Sequence, residues 1–385
     1  MANEIEPEPV VAKPEELPEE DRAPAGPLQG TALCVSGGGY RAMLFHLGTL
    51  WALNEFGWLP KLDRVSSVSG GSITAAVLAL HWGELTFNGG KAANFEAVVV
   101  KEVRKLAGIT IDVESVLKGV FLRGSISDRV VAAYDKHLFH GKTLQDLPDR
   151  PRFVLNATNV QSTALFRFSK PYIWDYRVGK IDKPRIRLAE AVGASSAFPP
   201  ILSPMQLDLS KQTFVPGTGK DLQKPPYTQK AFLTDGGVYD NMGIETAWKS
   251  HRRVLVSDAG GKTQEEAEPK TNAFWHSLRV NSLIDNQVRS LRKRQVIDSF
   301  KDKSREGAFW SIRTDIRNYK LPDSLPCPLD RTLALAEVST RLAALEGETQ
   351  ERLINLGWAM TDAAMRKHVD PALPALGRFP YPRGI

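Results

Sequence analysis

The stretch Val65-Ser66-Ser67-Val68-Ser69-Gly70-Gly71-Ser72 joins two different periodicities. Its β-branched and small residues read as the end of a short buried strand. Ser72-Ile73-Thr74-Ala75-Ala76-Val77-Leu78-Ala79-Leu80 then reads as a buried helix. Ser69 stands at the junction. A serine on so tight a strand-to-helix turn is pushed out of the sheet, and the first amides of the helix face any negative charge that forms beside it. That is the arrangement of a nucleophile elbow, usually spelled Gly-x-Ser-x-Gly. Here Ser67 occupies the first glycine position, and Gly70 and Gly71 follow the serine.

Upstream, Thr31-Ala32-Leu33-Cys34-Val35 reads as a buried strand running into Ser36-Gly37-Gly38-Gly39-Tyr40-Arg41-Ala42. A helix follows, with Leu44, Leu47, Leu50, Trp51 and Leu53 among its apolar residues. Three glycines between strand and helix admit backbone conformations closed to other residues and leave bare N–H groups beside a bound anion. Gly37-x-Gly39-x-x-Ala42 also meets the dinucleotide fingerprint, but the next strand ends in Ser69 and lacks the carboxylate that would hold a ribose.

Downstream, residues 83–150 read as largely helical, with His137 and His140 as a surface pair and no third metal ligand. Segments 152–158 and 164–168 read as strands, and 188–194 as a helix. Gly193-Ala194-Ser195-Ser196-Ala197 imitates an elbow without a preceding strand, so its serines are expected to be caps. Residues 202–229 are irregular and suit a lid or binding loop. Ala231-Phe232-Leu233-Thr234 is a strand that delivers Asp235-Gly236-Gly237, and Arg253-Val254-Leu255-Val256-Ser257-Asp258 is another. Alternating strands and helices argue an α/β layered fold, with Ser69 and Asp235 at the carboxyl ends of strands. Beyond about residue 265 the chain reads as helical. Ile284, Val288 and Leu291 mark an apolar face beside Arg289, Arg292, Lys293 and Arg294; such a basic amphipathic segment suits a membrane surface, but packing on the core with the charges solvated is the expectation preferred. Helices near 333–345 and 349–369 close the chain.

The 385 residues can bury a large core, and no run approaches the ~18 apolar residues of a membrane span. The start is too acidic and proline-rich for a signal peptide, so a cytoplasmic location, with possible peripheral contact at a membrane, is expected. Cys34 and Cys327 form neither a disulfide framework nor a thiolate metal site. Residues 1–30 hold eight acidic and two basic side chains, against a whole-chain charge of +6, so the body carries the positive charge. A basic body suits an anionic partner such as a phospholipid surface or nucleic acid. The expected organisation is a disordered acidic, proline-rich arm over 1–28, a catalytic body over 29–265 and a helical C-terminal extension over 266–385 packed on that body.

A glycine-rich loop, an elbow serine some thirty residues later and an Asp-Gly-Gly far downstream, in that order, resemble the patatin-like phospholipases. The run Ser36-Gly37-Gly38-Gly39-Tyr40-Arg41-Ala42-Met43 is similar to the matching segment of the group IV cytosolic phospholipases, and Ala194-Ser195-Ser196-Ala197-Phe198-Pro199-Pro200 resembles another family block. The resemblance covers roughly residues 29–260. It implies a three-layer α/β fold with a central, mainly parallel sheet, and a hydrolase of phospholipid or lysophospholipid acyl esters that works with a Ser-Asp dyad. Ser69 would attack the ester and Asp235 would take its proton. The Gly37, Gly38 and Gly39 amides, chiefly the last two, would form the oxyanion hole, and Arg41 would sit beside the substrate phosphate or the loop. Gly70, Gly71, Gly236 and Gly237 would shape the two turns. Ser67 departs from the family pattern.

Such a dyad needs no cofactor or metal to make its nucleophile, and no dense oxygen cluster of the kind calcium requires is visible in the sequence. The implied partners are lipid substrate and a transient membrane surface, with no nucleic acid. Two other readings remain open. One is a Ser-His-Asp triad using His251 or His276; the other is a non-catalytic lipid or nucleotide binder whose glycine loop holds phosphate.

Overall fold

The computed structural model describes residues 12–13, 16–22, 28–111 and 125–385. In chain order, its strands are β1 (Thr31–Val35), β2 (Arg64–Val68), a small hairpin of β3 (Phe87–Asn88) and β4 (Lys91–Ala92), β5 (Arg152–Asn159), β6 (Ala164–Phe168), β7 (Tyr172–Asp175), β8 (Gly179–Asp182), β9 (Met205–Asp208), β10 (Phe214–Val215), β11 (Lys230–Asp235), β12 (Arg253–Asp258) and β13 (Glu306–Ser311). The helices are α1 (Gly39–Glu55), α2 (Gly70–Leu80), α3 (Lys101–Ala107), α4 (Ile126–Tyr134), α5 (Leu188–Ser195), α6 (Gly237–Asp240), α7 (Glu245–Trp248), α8 (Ala273–Lys301), α9 (Leu329–Ala336) and α10 (Gly347–His368).

One mixed sheet organises these elements. Its centre runs β5-β2-β1-β12-β13 and is parallel throughout. Beyond β5 the chain turns antiparallel through β6, β7, β8 and β10. The central strands β1 and β2 are buried at every residue, as expected where helices cover both faces. On one face lie α1 and α2, with α10 packed across α1. Gly48 and Gly357 bring those two helices into backbone contact: a Cβ on either would meet a main-chain carbonyl oxygen of the other helix at about 2 Å (2.0 Å from Ile354 O, 1.9 Å from Phe45 O). On the other face Met242, Ile244, Ala247 and Val296 cover Ala32, Cys34, Val254 and Val256. The fold is therefore three-layered, with helices on both sides of a sheet whose central strands are parallel.

Four expectations change. The segment after 265 is not purely helical, because β13 extends the sheet beside β12; its Phe309 and Trp310 sit in too short a run to announce a strand. The stretch 202–229 is not wholly irregular, since it contributes β9, paired with β11, and, near its middle, β10, paired with β8. The N-terminal arm is not wholly free: Leu17 and Asp21 are buried, and Asp21 pairs with Arg64 (2.5 Å), Arg152 (2.8 Å) and Arg167 (3.4 Å). Three cations at the starts of β2 and β5 and on β6 give that carboxylate its place; residues 1–11, 14–15 and 23–27 lie outside the described residues.

The fourth change concerns α8, which is inverted relative to expectation. Ile284, Val288 and Leu291 are exposed, whereas Arg289 bonds the Gly261 carbonyl and Arg292 donates to Tyr239 O at 3.3 Å. The guanidinium groups find buried acids, Arg289 lying 3.7 Å from Asp258 and Arg292 3.8 Å from Asp240. Those partners outweigh the pull of the apolar side chains toward the core.

Candidate active site

Two strands meet end to end along β5. Val68, the last residue of β2, pairs with Asn156, and Asp235, the last residue of β11, pairs with the next residue, Ala157. Successive strand residues are ~3.3 Å apart, so β2 and β11 approach from opposite directions and stop against each other. Their next groups, Ser69 and the Asp235 carboxyl, are thereby brought together. Asp235 stands at the carboxyl end of its strand as expected, and that strand, β11, is antiparallel to β5.

Ser69 has φ 52 and ψ −121, a conformation that a non-glycine residue holds only where its surroundings impose it. A serine network provides that support. The Ser69 N–H donates to Ser195 Oγ at 3.0 Å, Ser195 Oγ donates to Asn156 O at 2.7 Å, and Ser72 Oγ lies 2.8 Å from Ser195 Oγ. Ser72 also donates to Ser67 Oγ at 3.0 Å. The departure from glycine at 67 thus has a use. Ser67 lies inside β2, where glycine's freedom is not needed, and its hydroxyl joins the network that fixes the turn. The expectation that Ser195 is a cap is likewise corrected: it is fully buried beneath the elbow.

The Asp235 carboxylate is 1% exposed. Burial pushes its pKa up to about 7, against the opposing pull of the Ser69 side chain and the Gly237 amide. Oδ1 accepts the Gly237 N–H at 2.7 Å, and Oδ2 has no hydrogen-bond partner among the described residues. The turn is held from behind by Ala197, whose carbonyl accepts from Asp235 N (2.9 Å) and Thr234 Oγ1 (3.0 Å). Gly236 rests on Asn156, where a Cβ would lie 2.2 Å from the carbonyl oxygen.

The glycine loop lies directly beside the elbow, because a Cβ on Gly70 would stand 2.1 Å from Gly39 O. The Gly37 N–H is already committed to Asn241 O at 3.0 Å. Gly38 and Gly39, at φ 138 and 57, donate to no acceptor among the described residues. Beneath them Ser36 Oγ accepts the Ala259 N–H at 2.8 Å, and His46 Nε2 lies 3.0 Å from Ser36 O. Burial holds the His46 pKa down to about 4, so it serves as a neutral brace.

Arg41 does not face an open site. Its Nη1 donates to Ala336 O (2.7 Å) and Val338 O (2.9 Å), and its Nη2 to Ala259 O (2.9 Å). Of the two roles implied for it, this geometry is that of the loop: Arg41 ties the glycine loop to β12 and to the chain after α9.

Neither histidine of a triad is in place. His251 is buried beside Arg64, at the start of β2, and its Nδ1 lies 3.0 Å from Ser250 Oγ. Ser69 follows the far end of that five-residue strand, ~15 Å away. His276 lies on the exposed start of α8. Sequence reasoning missed Ser195, Asn156 and Asn241; only the family block around Ser195 hinted at the first.

The sequence profile described as Patatin-like phospholipase matches residues 33–248. No curated protein matches the sequence. Among solved structures, human GIVD cytosolic phospholipase A2 superposes with a TM-score of 0.52 at 12% identity, over 90% of this chain and 62% of that one. The same protein in complex with methyl gamma-linolenyl fluorophosphonate gives 0.51 at 16% identity, over 87% and 57%. This chain therefore spans less than two thirds of those structures, and the likeness is one of fold.

Proposed function

The chain belongs to the patatin-like phospholipase family, and from that premise we propose that it is a serine lipid acyl hydrolase cleaving fatty acyl esters of phospholipids or lysophospholipids. The observation that carries this reading is the end-to-end meeting of β2 and β11, which sets a strained serine against a buried carboxylate with a vacant oxygen.

In this mechanism Ser69 Oγ attacks the ester carbonyl carbon while Asp235 takes its proton. The negative charge that develops on the carbonyl oxygen falls to the Gly38 and Gly39 amides, since that of Gly37 is occupied. Such preorganised donors are worth roughly 3 kcal/mol each. Collapse of the tetrahedral intermediate breaks the bond to the glycerol oxygen, which leaves with the proton from Asp235, and the acyl group stays on Ser69. A water then attacks the acyl-enzyme with Asp235 again taking the proton, and the returning proton restores the Ser69 hydroxyl as fatty acid departs. A carboxylate with a pKa of about 7 is matched to accepting and returning a proton near neutrality.

We read the catalytic unit as extending past residue 265, supported by β13 in the sheet and α10 against α1. Among the described residues no helix is long and apolar enough to cross a membrane, so contact with bilayers is proposed to be peripheral. Fatty acid release from glycerophospholipid vesicles, followed by mass spectrometry, tests the reading: wild type should release fatty acid and Ser69→Ala should not. Equal release by both would remove it.

A further inference from the structure

Among the described residues, the apolar side chains of α8 outside its anchored end are left uncovered. Val280, Leu283, Ile284, Val288 and Leu291 are between 38% and 57% exposed. Their spacing of three, four, eight and eleven residues puts them in one stripe, ~16 Å long. The opposite face carries Arg289, Arg292 and Val296, which hold the helix to the body. At the start of the helix Phe274 (58%) and Trp275 (48%) are also exposed, with Lys270 Nζ 4.4 Å from the Trp275 ring centroid.

The helix that carries this stripe runs beside the Asp235 turn. Arg292 is bonded to Tyr239, two residues after Gly237, and the charge of Asp285 on α8 acts on the Asp235 carboxylate. Two further apolar groups flank the same turn. Val238 (54% exposed) directly follows Gly237, and Phe198 (63%) directly follows Ala197, the residue whose carbonyl holds Asp235. Ser69, by contrast, is only 7% exposed.

We propose that the α8 stripe, together with Phe198 and Val238, is the surface by which this protein docks on an anionic phospholipid bilayer, with α8 lying in the interfacial plane. The proposal rests on the hydrolase reading above, because it explains how an acyl ester reaches a nearly buried serine. Two observations select lipid as the occupant. Beyond Arg289 and Arg292, which are committed to the body, helix α8 carries Arg279, Lys293, Arg294 and Lys301 against Asp285 and Asp298, an excess of positive charge that suits an anionic surface. The exposed Val238 and Phe198 beside the Asp235 turn extend the apolar surface toward the site, as a lipid substrate delivered from a bilayer requires. An aromatic pair with a lysine at its edge is the composition that settles at the lipid–water boundary.

The test uses the full chain and vesicles of phosphatidylcholine with phosphatidylglycerol. The triple variant Leu283→Ser, Ile284→Ser, Leu291→Ser changes only exposed side chains, and its thermal unfolding should match wild type. Its partition onto vesicles should fall at least tenfold, while turnover of a monomeric short-chain ester stays unchanged. A polarity-sensitive dye on Ile284→Cys should shift to the blue when vesicles are added, and Ser69→Ala should bind vesicles as wild type does. Binding should also weaken with salt, as attraction to anionic headgroups is screened over about 10 Å at 0.1 M. Undiminished vesicle binding by the triple variant, or a wild-type dimer that the triple variant abolishes without effect on vesicles, overturns the proposal. Docking that persists without hydrolysis of either substrate supports this surface and removes the hydrolase reading instead.

Discussion

Ser69 and Asp235 are neighbours because Val68 and Asp235 pair with consecutive residues of β5, Asn156 and Ala157. A shift of one residue in the register of either strand would turn one of the two groups away from the other. The strand β5 is therefore the ruler on which the site is measured, and four expectations follow from the geometry around it.

The first concerns pH. As a proton acceptor Asp235 must be ionised, so kcat/KM should rise as pH increases through about 7. Stability runs the other way. The folded pKa lies above the ordinary carboxylate value, so the folded chain binds more protons than the unfolded chain between about pH 4 and 7. The contribution to stability is full below the unfolded value and is lost as pH rises through the folded one. Asp235→Asn should abolish activity yet unfold at a higher temperature than wild type at pH 8, with the gap, on the order of a few kcal/mol at ~1.4 per pKa unit, closing by pH 4. Calorimetry at the two pH values checks this.

The second concerns Ser195. Replacing it with alanine removes the acceptor for the Ser69 N–H and the donor to Asn156 O. Leaving such buried groups unmatched costs about 1–3 kcal/mol. Because the loss falls on the elbow, kcat should drop tenfold or more with KM nearly unchanged. A fall in melting temperature alone, with kcat intact, would make Ser195 merely structural.

The third separates the two roles of Arg41. A lysine cannot reach three carbonyls that are held here by two guanidinium nitrogens. Arg41→Lys should lower kcat equally on phospholipids and on esters that lack phosphate. A loss confined to phosphate-bearing substrates would show instead that Arg41 reads the headgroup.

The fourth lies at the opposite end of the sheet. Asp21 is buried between Arg64 and Arg167, which are 4% and 3% exposed. Asp21→Ala leaves buried cations without their shared acid, which costs about 3–5 kcal/mol. Chemical denaturation should register that loss, while kcat on a soluble ester at low temperature is retained.

Much of the site was legible in the sequence because its parts are local. Val65 to Ser72 and Thr31 to Ala42 each carry a strand, a turn and a helix start within a dozen residues. What was hidden is non-local. The hydrogen bond from Ser69 to Ser195 spans 126 residues of chain, and nothing in either segment shows that they meet. The short strands β9, β10 and β13 owe their pairing to neighbours already in the sheet, so their own residues announce little. For α8 the amphipathic pattern was read correctly but its direction was not. Periodicity identifies two faces, whereas Asp258 and Asp240, distant in sequence, decide which one turns inward.

The most direct measurement is covalent labelling with a long-chain fluorophosphonate, followed by peptide mass spectrometry. Attack by the activated hydroxyl on phosphorus, with loss of fluoride, should leave one adduct per chain on Ser69. Ser69→Ala should remain unlabelled, and Asp235→Asn should label at least a hundredfold more slowly. An adduct on another serine, or labelling of Asp235→Asn at the wild-type rate, would contradict the account.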